Sequence, residues 1–141
     1  MTPAEVFPIG GLSAMPMWAL MILFPNWKLT RLLIDYKVVP IFIAIIYVIY
    51  ITLSMSADGL ADFGSFASVK ELFTQDNAIL AGWMHYICFD LLVGMWMVNQ
   101  NRDIKIHQLL MAPCLFFTFM FGPVGFLLFM IIKSIKKSIK S

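Results

Sequence analysis

The sequence has 141 residues, of which 61% are hydrophobic and 13% charged, with a mean hydropathy of +0.87 and a formal net charge of +2. A soluble domain of this length is about half apolar and about one quarter charged. The chain lacks the polar surface of a water-soluble globule, so an integral membrane protein is predicted. Its basic residues flank apolar segments instead of forming a basic patch, and nucleic-acid binding is therefore not expected.

Four apolar segments follow one another along the chain, at residues 6–24, 38–55, 77–98 and 106–132. Each is near the length of about 20 residues that crosses a bilayer as a helix. Backbone polar groups in lipid must be paired within their own element, so each segment is predicted to be helical. No positively charged stretch precedes the first segment, which is expected to be retained as a span. The predicted fold is an all-α transmembrane domain over residues 1–141, a bundle of four transmembrane helices.

A polar-to-amphipathic stretch, "SADGLADFGSFASVKELFTQDN", separates the second and third segments. Ser68 and Glu71 have the spacing of a capping box. Phe63, Phe66, Val69 and Phe73 recur at roughly helical intervals. This pattern predicts a short helix lying in the membrane interface, with an ordinary loop as the alternative.

The fourth segment contains Pro113 and the sequence "FGPVG" at residues 121–125. Its 27 residues, at about 1.5 Å each, extend roughly 40 Å, enough for one tilted crossing and too little for two. A single kinked helix is therefore predicted. Four crossings place five basic residues on each side of the membrane, so the orientation of the protein in the membrane is undetermined. A chain that doubled back at this segment would place nine basic residues on one side. The basic tail 133–141 is expected to be amphipathic and to rest on anionic headgroups, or simply to aid solubility.

Two polar side chains, His85 and Asp90, interrupt the third segment within "GWMHYICFDLLVGMWMV". A carboxylate at the bilayer centre costs on the order of 3 kcal/mol. Five residues along a helix separate the two side chains by about 140°, so they share no face. They are expected either to flank a ligand or to bond different neighbours. The helix line through Asp90 also holds Trp83, Tyr86, Gly94 and Met97.

Other features of the spans are less specific. Tyr47 and Tyr50 are three residues apart in the second segment and could meet Asp90, or could be ordinary membrane aromatics. Polar residues inside membranes also tie helices together, by about 0.6 kcal/mol on average. Cys88 and Cys114 form neither a disulfide framework nor a metal-ligand spacing. Neither a metal nor a cofactor is predicted.

Five stretches together carry a family resemblance: "FPNWKLTRLLI", "VVPIFIAIIYVIYI", "FGSFASVKELF", "AGWMHYICFDLLVGMW" and "LLMAPCLFFTFMFGPVGFLLF". The chain resembles the abscisic-acid-deficient-type (neoxanthin synthase-like) integral membrane proteins, as a bacterial-type member. For the plant members the resemblance implies that an epoxide of violaxanthin opens and an allene forms, without net redox change. Such a step needs an acid at the epoxide oxygen and a base at a nearby carbon.

Carried over by position, the resemblance implies Asp90 as the acid, in protonated form, and His85 as base or orienting group. Trp83, Gly122 and Pro123 also match the family pattern, and the predicted ligand-binding residues are these three together with Tyr86, Tyr47 and Tyr50. The predicted function is rearrangement of a carotenoid or other isoprenoid, as an isomerase. The alternatives are a non-catalytic pigment-binding or lipid-binding subunit and a small oligomeric transporter component.

The expected location is the bacterial cytoplasmic membrane. Membrane lipids, a carotenoid or isoprenoid ligand, further copies of the chain and a biosynthetic enzyme are the expected partners.

Overall fold

The computed structural model describes residues 1–59 and 62–140, and within these ranges the chain is helical with short connections and no strand. The elements are α1 (Pro3–Leu23), α2 (Lys28–Tyr36), α3 (Val38–Asp58), α4 (Phe66–Leu72), α5 (Asp76–Ile104), α6 (Gln108–Phe121) and α7 (Pro123–Lys140). All four apolar segments are therefore helical, as predicted.

Three stretches of the described chain are long and apolar enough to cross a membrane: Pro3–Leu23, Lys28–Ala57 and Asp76–Ile104. The second stretch comprises α2 and most of α3, which meet at Lys37 in a left-handed backbone conformation. In α2, only Thr30 and Ile34 are buried. Length and composition thus support three crossings among the described residues, whereas four were predicted.

The 29-residue helix α5 is the central element, because α1, α3 and α6 all pack against it. Helix α1 runs parallel to α5. A Cβ atom at Gly10 would lie 2.5 Å from the Met84 sulfur, and one at Gly94 would lie 2.6 Å from the Trp18 ring. Both glycines therefore permit the two backbones to approach closely. Helix α3 runs antiparallel to α5, with the Cys88 thiol donating to the Pro40 carbonyl oxygen at 3.5 Å.

The predicted fourth span is two helices, and the expectation of one kinked crossing is wrong. Helix α6 ends at Gly122, which has φ 45° and ψ −90°, a left-handed conformation that favours glycine. Helix α7 then folds back along α6, with Gly125 directly against the backbone of Thr118 and Cys114. At the far end of α7, Lys136 donates to the Lys105 carbonyl oxygen just before α6 begins.

The returning helix also packs beside the second half of α5. The Trp96 ring lies 5.9 Å from the Phe126 ring and 5.6 Å from the Phe129 ring, and the Lys133 ammonium donates to the Gln100 side chain at 3.0 Å. Helices α6 and α7 therefore form a hairpin. The predicted basic tail 133–141 is the last part of α7 as far as Lys140, and residue 141 lies outside the described residues.

The stretch between α3 and α5 contains a short helix, α4, which begins at Phe66, two residues before Ser68. Ser65 is the N-cap, and its hydroxyl oxygen accepts from the Ser68 backbone N–H at 3.1 Å. The predicted capping box from Ser68 to Glu71 is therefore not the helix start. Phe66 and Phe73 are both exposed, and none of the residues of α4 is buried. Residues 60–61 of this stretch lie outside the described residues.

Candidate functional site: an apolar cavity with one carboxyl group

A cavity of about 360 Å³ lies between α1, α5 and α6. Helix α1 contributes small and aromatic side chains, including Ala14 and Trp18, and α6 contributes Phe119 and Met120 from its last turn. Helix α5 contributes Trp83, Tyr86, Ile87 and Asp90. Asp90 and Tyr86 are the titratable side chains that line this otherwise apolar cavity.

Asp90 lies at the midpoint of α5 and is partly buried. Its Oδ2 atom is buried and has no hydrogen-bond partner among the described residues. Gly122 lies directly against the same group, since a Cβ atom there would be 2.6 Å from Asp90 Oδ1. The turn of the α6–α7 hairpin therefore rests on the carboxyl group of Asp90, a residue that also lines the cavity.

Three aromatic rings are stacked along one edge of the cavity. The Phe7 and Trp83 rings are 5.1 Å apart with 24° between their planes, and the Trp83 and Tyr86 rings are 5.5 Å apart with 22°. The Tyr86 hydroxyl donates to the Met120 carbonyl oxygen at 3.0 Å, which ties α5 to the last turn of α6. We call Phe7, Trp83 and Tyr86 the aromatic stack. Its rings are partly exposed, so it offers a flat apolar surface at the outside of the helix bundle.

His85 lies on a different face of α5 from Asp90, as the helical wheel predicts. Its ring stacks on Phe89 at 4.7 Å and contacts the Tyr47 ring at 5.6 Å. His85 is not among the residues that line the cavity. The structure therefore does not bring this imidazole and the Asp90 carboxyl group together.

The two tyrosines of α3 also lie away from the cavity, so the expected contact with Asp90 is not observed. Tyr47 packs against His85, and the Tyr50 hydroxyl donates to the Met1 carbonyl oxygen at 3.3 Å. Of the proposed ligand-binding residues, Trp83 and Tyr86 line the cavity, whereas Gly122 contacts its carboxyl group. Pro123 begins α7 and is exposed.

Several cavity residues were missed by the sequence analysis because they belong to other helices. Trp18 is buried and contacts the Phe119 ring at 5.7 Å, which joins α1 to α6. The sequence feature that could have indicated a helix contact of α1 is the set of small residues in the first segment, Gly10, Gly11 and Ala14. Gly10 and Ala14 are buried, with Gly10 against Met84 of α5, and Gly11 lines the cavity. Small residues are enriched at helix contacts in membranes.

The arrangement favours an apolar ligand that carries one polar group. A carboxyl group in apolar surroundings forms a stronger hydrogen bond than it does in water, and it can exchange a proton with the ligand. Among the described residues, no group of three or more His, Cys, Asp or Glu side chains could hold a metal ion. Asp90 and Tyr86 are the lining side chains that can exchange a proton.

Comparison with known proteins gives a family for the chain. The chain is 21% identical over 140 residues to Protein ABA DEFICIENT 4, chloroplastic, of Arabidopsis thaliana, an alignment that includes 94% of this chain and 62% of that protein. The chain thus spans less than two thirds of the relative's length. No solved structure matches the chain. The model of the ABA4-like family, described as ABA DEFICIENT 4-like, matches residues 5–129, which include the cavity and the hairpin turn, and the chain therefore belongs to this family.

Proposed function

We propose that the protein is an integral membrane isomerase that rearranges an oxygenated isoprenoid of the carotenoid class, with Asp90 as its catalytic residue. The observation that carries the proposal is the cavity itself, which is lined by mostly apolar side chains and by Asp90, whose carboxyl group has one buried oxygen without a protein partner. Membership of the ABA DEFICIENT 4-like family supports the substrate class, through the rearrangement that the family resemblance implies.

In this proposal three helices cross the membrane, and the α6–α7 hairpin enters and leaves from one side. Helix α6 has 14 residues and is about 21 Å long, less than the hydrocarbon thickness of about 30 Å. Its turn meets Asp90 at the midpoint of α5, near the bilayer centre. The bacterial cytoplasmic membrane remains the proposed location.

The size of the cavity supports binding of one end of a long isoprenoid. Its volume of about 360 Å³ is near the lower limit of ligand pockets, which is roughly 300 Å³. The aromatic stack continues this apolar surface outward, because Phe7 packs on Trp83 beyond the cavity lining. An end ring enters the cavity, while the polyene chain lies against the aromatic stack and the surrounding lipid.

One carboxyl group suffices for an isomerisation of an epoxide. Protonated Asp90 gives its proton to the epoxide oxygen as the carbon–oxygen bond breaks, and the oxygen becomes a hydroxyl group. The carboxylate that results takes a proton from a nearby carbon as the new carbon–carbon double bond forms. The carboxyl group returns to its initial state, and no oxidant or reductant is consumed.

This proposal assigns both proton transfers to Asp90, whereas His85 was predicted as the base or an orienting group. The position of His85 against Tyr47 and Phe89 supports the change. His85 is then a packing residue between α3 and α5.

The experiment compares Asp90→Asn with wild type in a host that accumulates an epoxidised carotenoid. Asp103→Asn is the matched control, because Asp103 is on the same helix, is exposed and does not line the cavity. We expect a product of unchanged mass with wild type and Asp103→Asn, and none with Asp90→Asn at equal protein levels in the membrane. Identical pigment profiles with and without the wild-type protein would contradict the proposal.

A second candidate is a non-catalytic pigment-binding subunit, favoured by the aromatic stack. Parallel rings 5.1 and 5.5 Å apart can bind a conjugated chain without any proton transfer. Purification in mild detergent separates the two candidates. A coloured ligand that co-purifies unchanged, with no converted product in the host, supports the binding role over the isomerase.

A further inference from the structure

A second cavity lies at the opposite end of the α6 helix from Asp90. Its volume is about 440 Å³, and its walls come from the α1–α2 connection, the last turns of α5 and the start of α6. Arg31, Arg102 and Lys105 line it, and the buried side chains of Met111 and Leu115 lie at its base. Three basic side chains and no Asp or Glu are therefore among its lining residues.

Arg102 has hydrogen-bonding capacity that the described residues do not use. Its Nη1 atom is 3.7 Å from Asp35 Oδ1, near the limit of an ion pair. Its Nε and Nη2 atoms are buried and have no acceptor among the described residues. A buried hydrogen-bond donor without an acceptor raises the free energy of the folded state, and the effect is larger for a charged group such as a guanidinium. The planar fork of donors matches the oxygen atoms of a phosphate group.

The amide side chains around Arg102 hold the cavity walls in place. The Gln108 side chain donates to the Ile22 carbonyl oxygen at 2.6 Å, which joins α6 to α1. Asn101 forms two hydrogen bonds with the backbone of Ile106, at 2.7 and 3.0 Å. The third amide in the lining, Asn26, accepts from the Arg31 guanidinium at 3.4 Å. The cationic side chains are therefore the charged groups of the lining that can receive an anion.

The surroundings of the cavity favour a lipid as the source of that anion. The chain beside its entrance, "LFPNW" at residues 23–27, exposes Leu23 by 65%, Phe24 by 57% and Trp27 by 53%. Exposed tryptophan next to basic residues is typical of the headgroup level of a membrane. The hairpin also brings the lysines of α7 to the end of the helix bundle that holds this cavity. Nine of the ten Lys and Arg residues of the sequence therefore lie at this end, and Lys70 lies at the opposite end.

We propose that this cavity binds the phosphate group of an anionic phospholipid, with Arg102 as the central ligand and Arg31 and Lys105 beside it. The headgroup phosphate provides the acceptors that Arg102 lacks. The acyl chains leave over the exposed apolar side chains of residues 23–27. The site is separate from the Asp90 cavity, because the two share no lining residue.

The test measures binding to nanodiscs or mixed micelles that contain phosphatidylglycerol, with phosphatidylcholine and inorganic phosphate as comparison arms. Arg102→Met removes the hydrogen-bond donors and keeps an apolar side chain, whereas Arg102→Lys keeps the positive charge and removes the planar guanidinium group. Lys137→Met is the matched control, since it changes the net charge equally but lies outside the cavity lining. Circular dichroism checks that each variant remains helical.

We expect wild type to bind phosphatidylglycerol over phosphatidylcholine, and Arg102→Met to lose about tenfold or more in affinity, as expected for a lost charge-assisted pair. Arg102→Lys should lose part of the affinity and Lys137→Met little. Equal losses in Arg102→Met and Lys137→Met would overturn the site, because general charge alone would then explain binding. Saturation by inorganic phosphate with no preference among lipids would overturn the lipid source. Should Arg102→Met fail to fold, the comparison of Arg102→Lys with Lys137→Met decides the question.

Discussion

Replacement of Gly122 by alanine tests whether the hairpin turn rests on Asp90. A Cβ atom at this position would lie 2.6 Å from Asp90 Oδ1, about 0.8 Å closer than an ordinary contact. The positive φ of 45°, combined with ψ of −90°, is sparsely populated and adds a backbone penalty of roughly 1–3 kcal/mol for a residue with a side chain. The steric contribution is about 1 kcal/mol, the lower end of the usual range for overpacking, because the carboxyl group can rotate.

The two contributions can be separated by a double-mutant cycle. In an Asp90→Ala background the steric contribution disappears and the backbone penalty remains, so Gly122→Ala should cost about 1 kcal/mol less there than in wild type. Gly11→Ala is the control, because a Cβ atom at Gly11 meets nothing within 4 Å. The helix propensity of alanine should make that variant as stable as wild type or more so.

The assay is the free energy of unfolding in mixed micelles, obtained by titration with a denaturing detergent and followed by far-ultraviolet circular dichroism. Equal costs of Gly122→Ala in both backgrounds would refute the contact between the turn and Asp90. A cost no larger than that of Gly11→Ala would refute the left-handed turn itself.

Three further predictions concern packing, the second polar residue and orientation. Gly125→Ala should destabilise the protein by about 1–3 kcal/mol relative to Gly11→Ala in the same unfolding assay, because its Cβ atom meets the backbone of α6, which cannot rotate away. An unchanged midpoint would contradict the packing of the hairpin. His85→Phe should retain pigment conversion, because His85 contacts rings of α3 and α5 and not the Asp90 cavity. Complete loss of product with normal insertion would restore His85 as a catalytic candidate. Reporter fusions should place the C-terminus in the cytoplasm and the N-terminus outside, since nine of ten basic residues lie at the end that holds the C-terminus. A C-terminal reporter outside would contradict either the hairpin or the orientation.

The face of each helix could be predicted from the sequence, whereas the pairing of the helices could not. The 3.6-residue period places Asp90, Trp83 and Tyr86 on one face of α5, and the structure places all three at one cavity. The same period says nothing about which helix covers that face. Tyr47 was therefore expected near Asp90, whereas α1 and α6 cover the cavity and Tyr47 meets His85 on the α3 side.

The hairpin was not predicted, because residues 106–132 were expected from their length to cross the membrane. Two full crossings need more residues than this segment has, so a single kinked helix was predicted. A hairpin that turns at mid-depth needs only about half of each crossing. Helix α7 also continues through the lysine-rich residues to Lys140. These residues were predicted as a tail separate from the fourth segment. The left-handed Gly122 that makes the turn has no unambiguous sequence signal, because "GPVG" also fits a packing kink.

The most direct test of the account is conversion by purified protein in liposomes that contain an epoxidised carotenoid. The account predicts an isomer of unchanged mass with wild type and with Asp103→Asn, and no isomer with Asp90→Asn. Conversion by Asp90→Asn at the wild-type rate would contradict the central role of this carboxyl group.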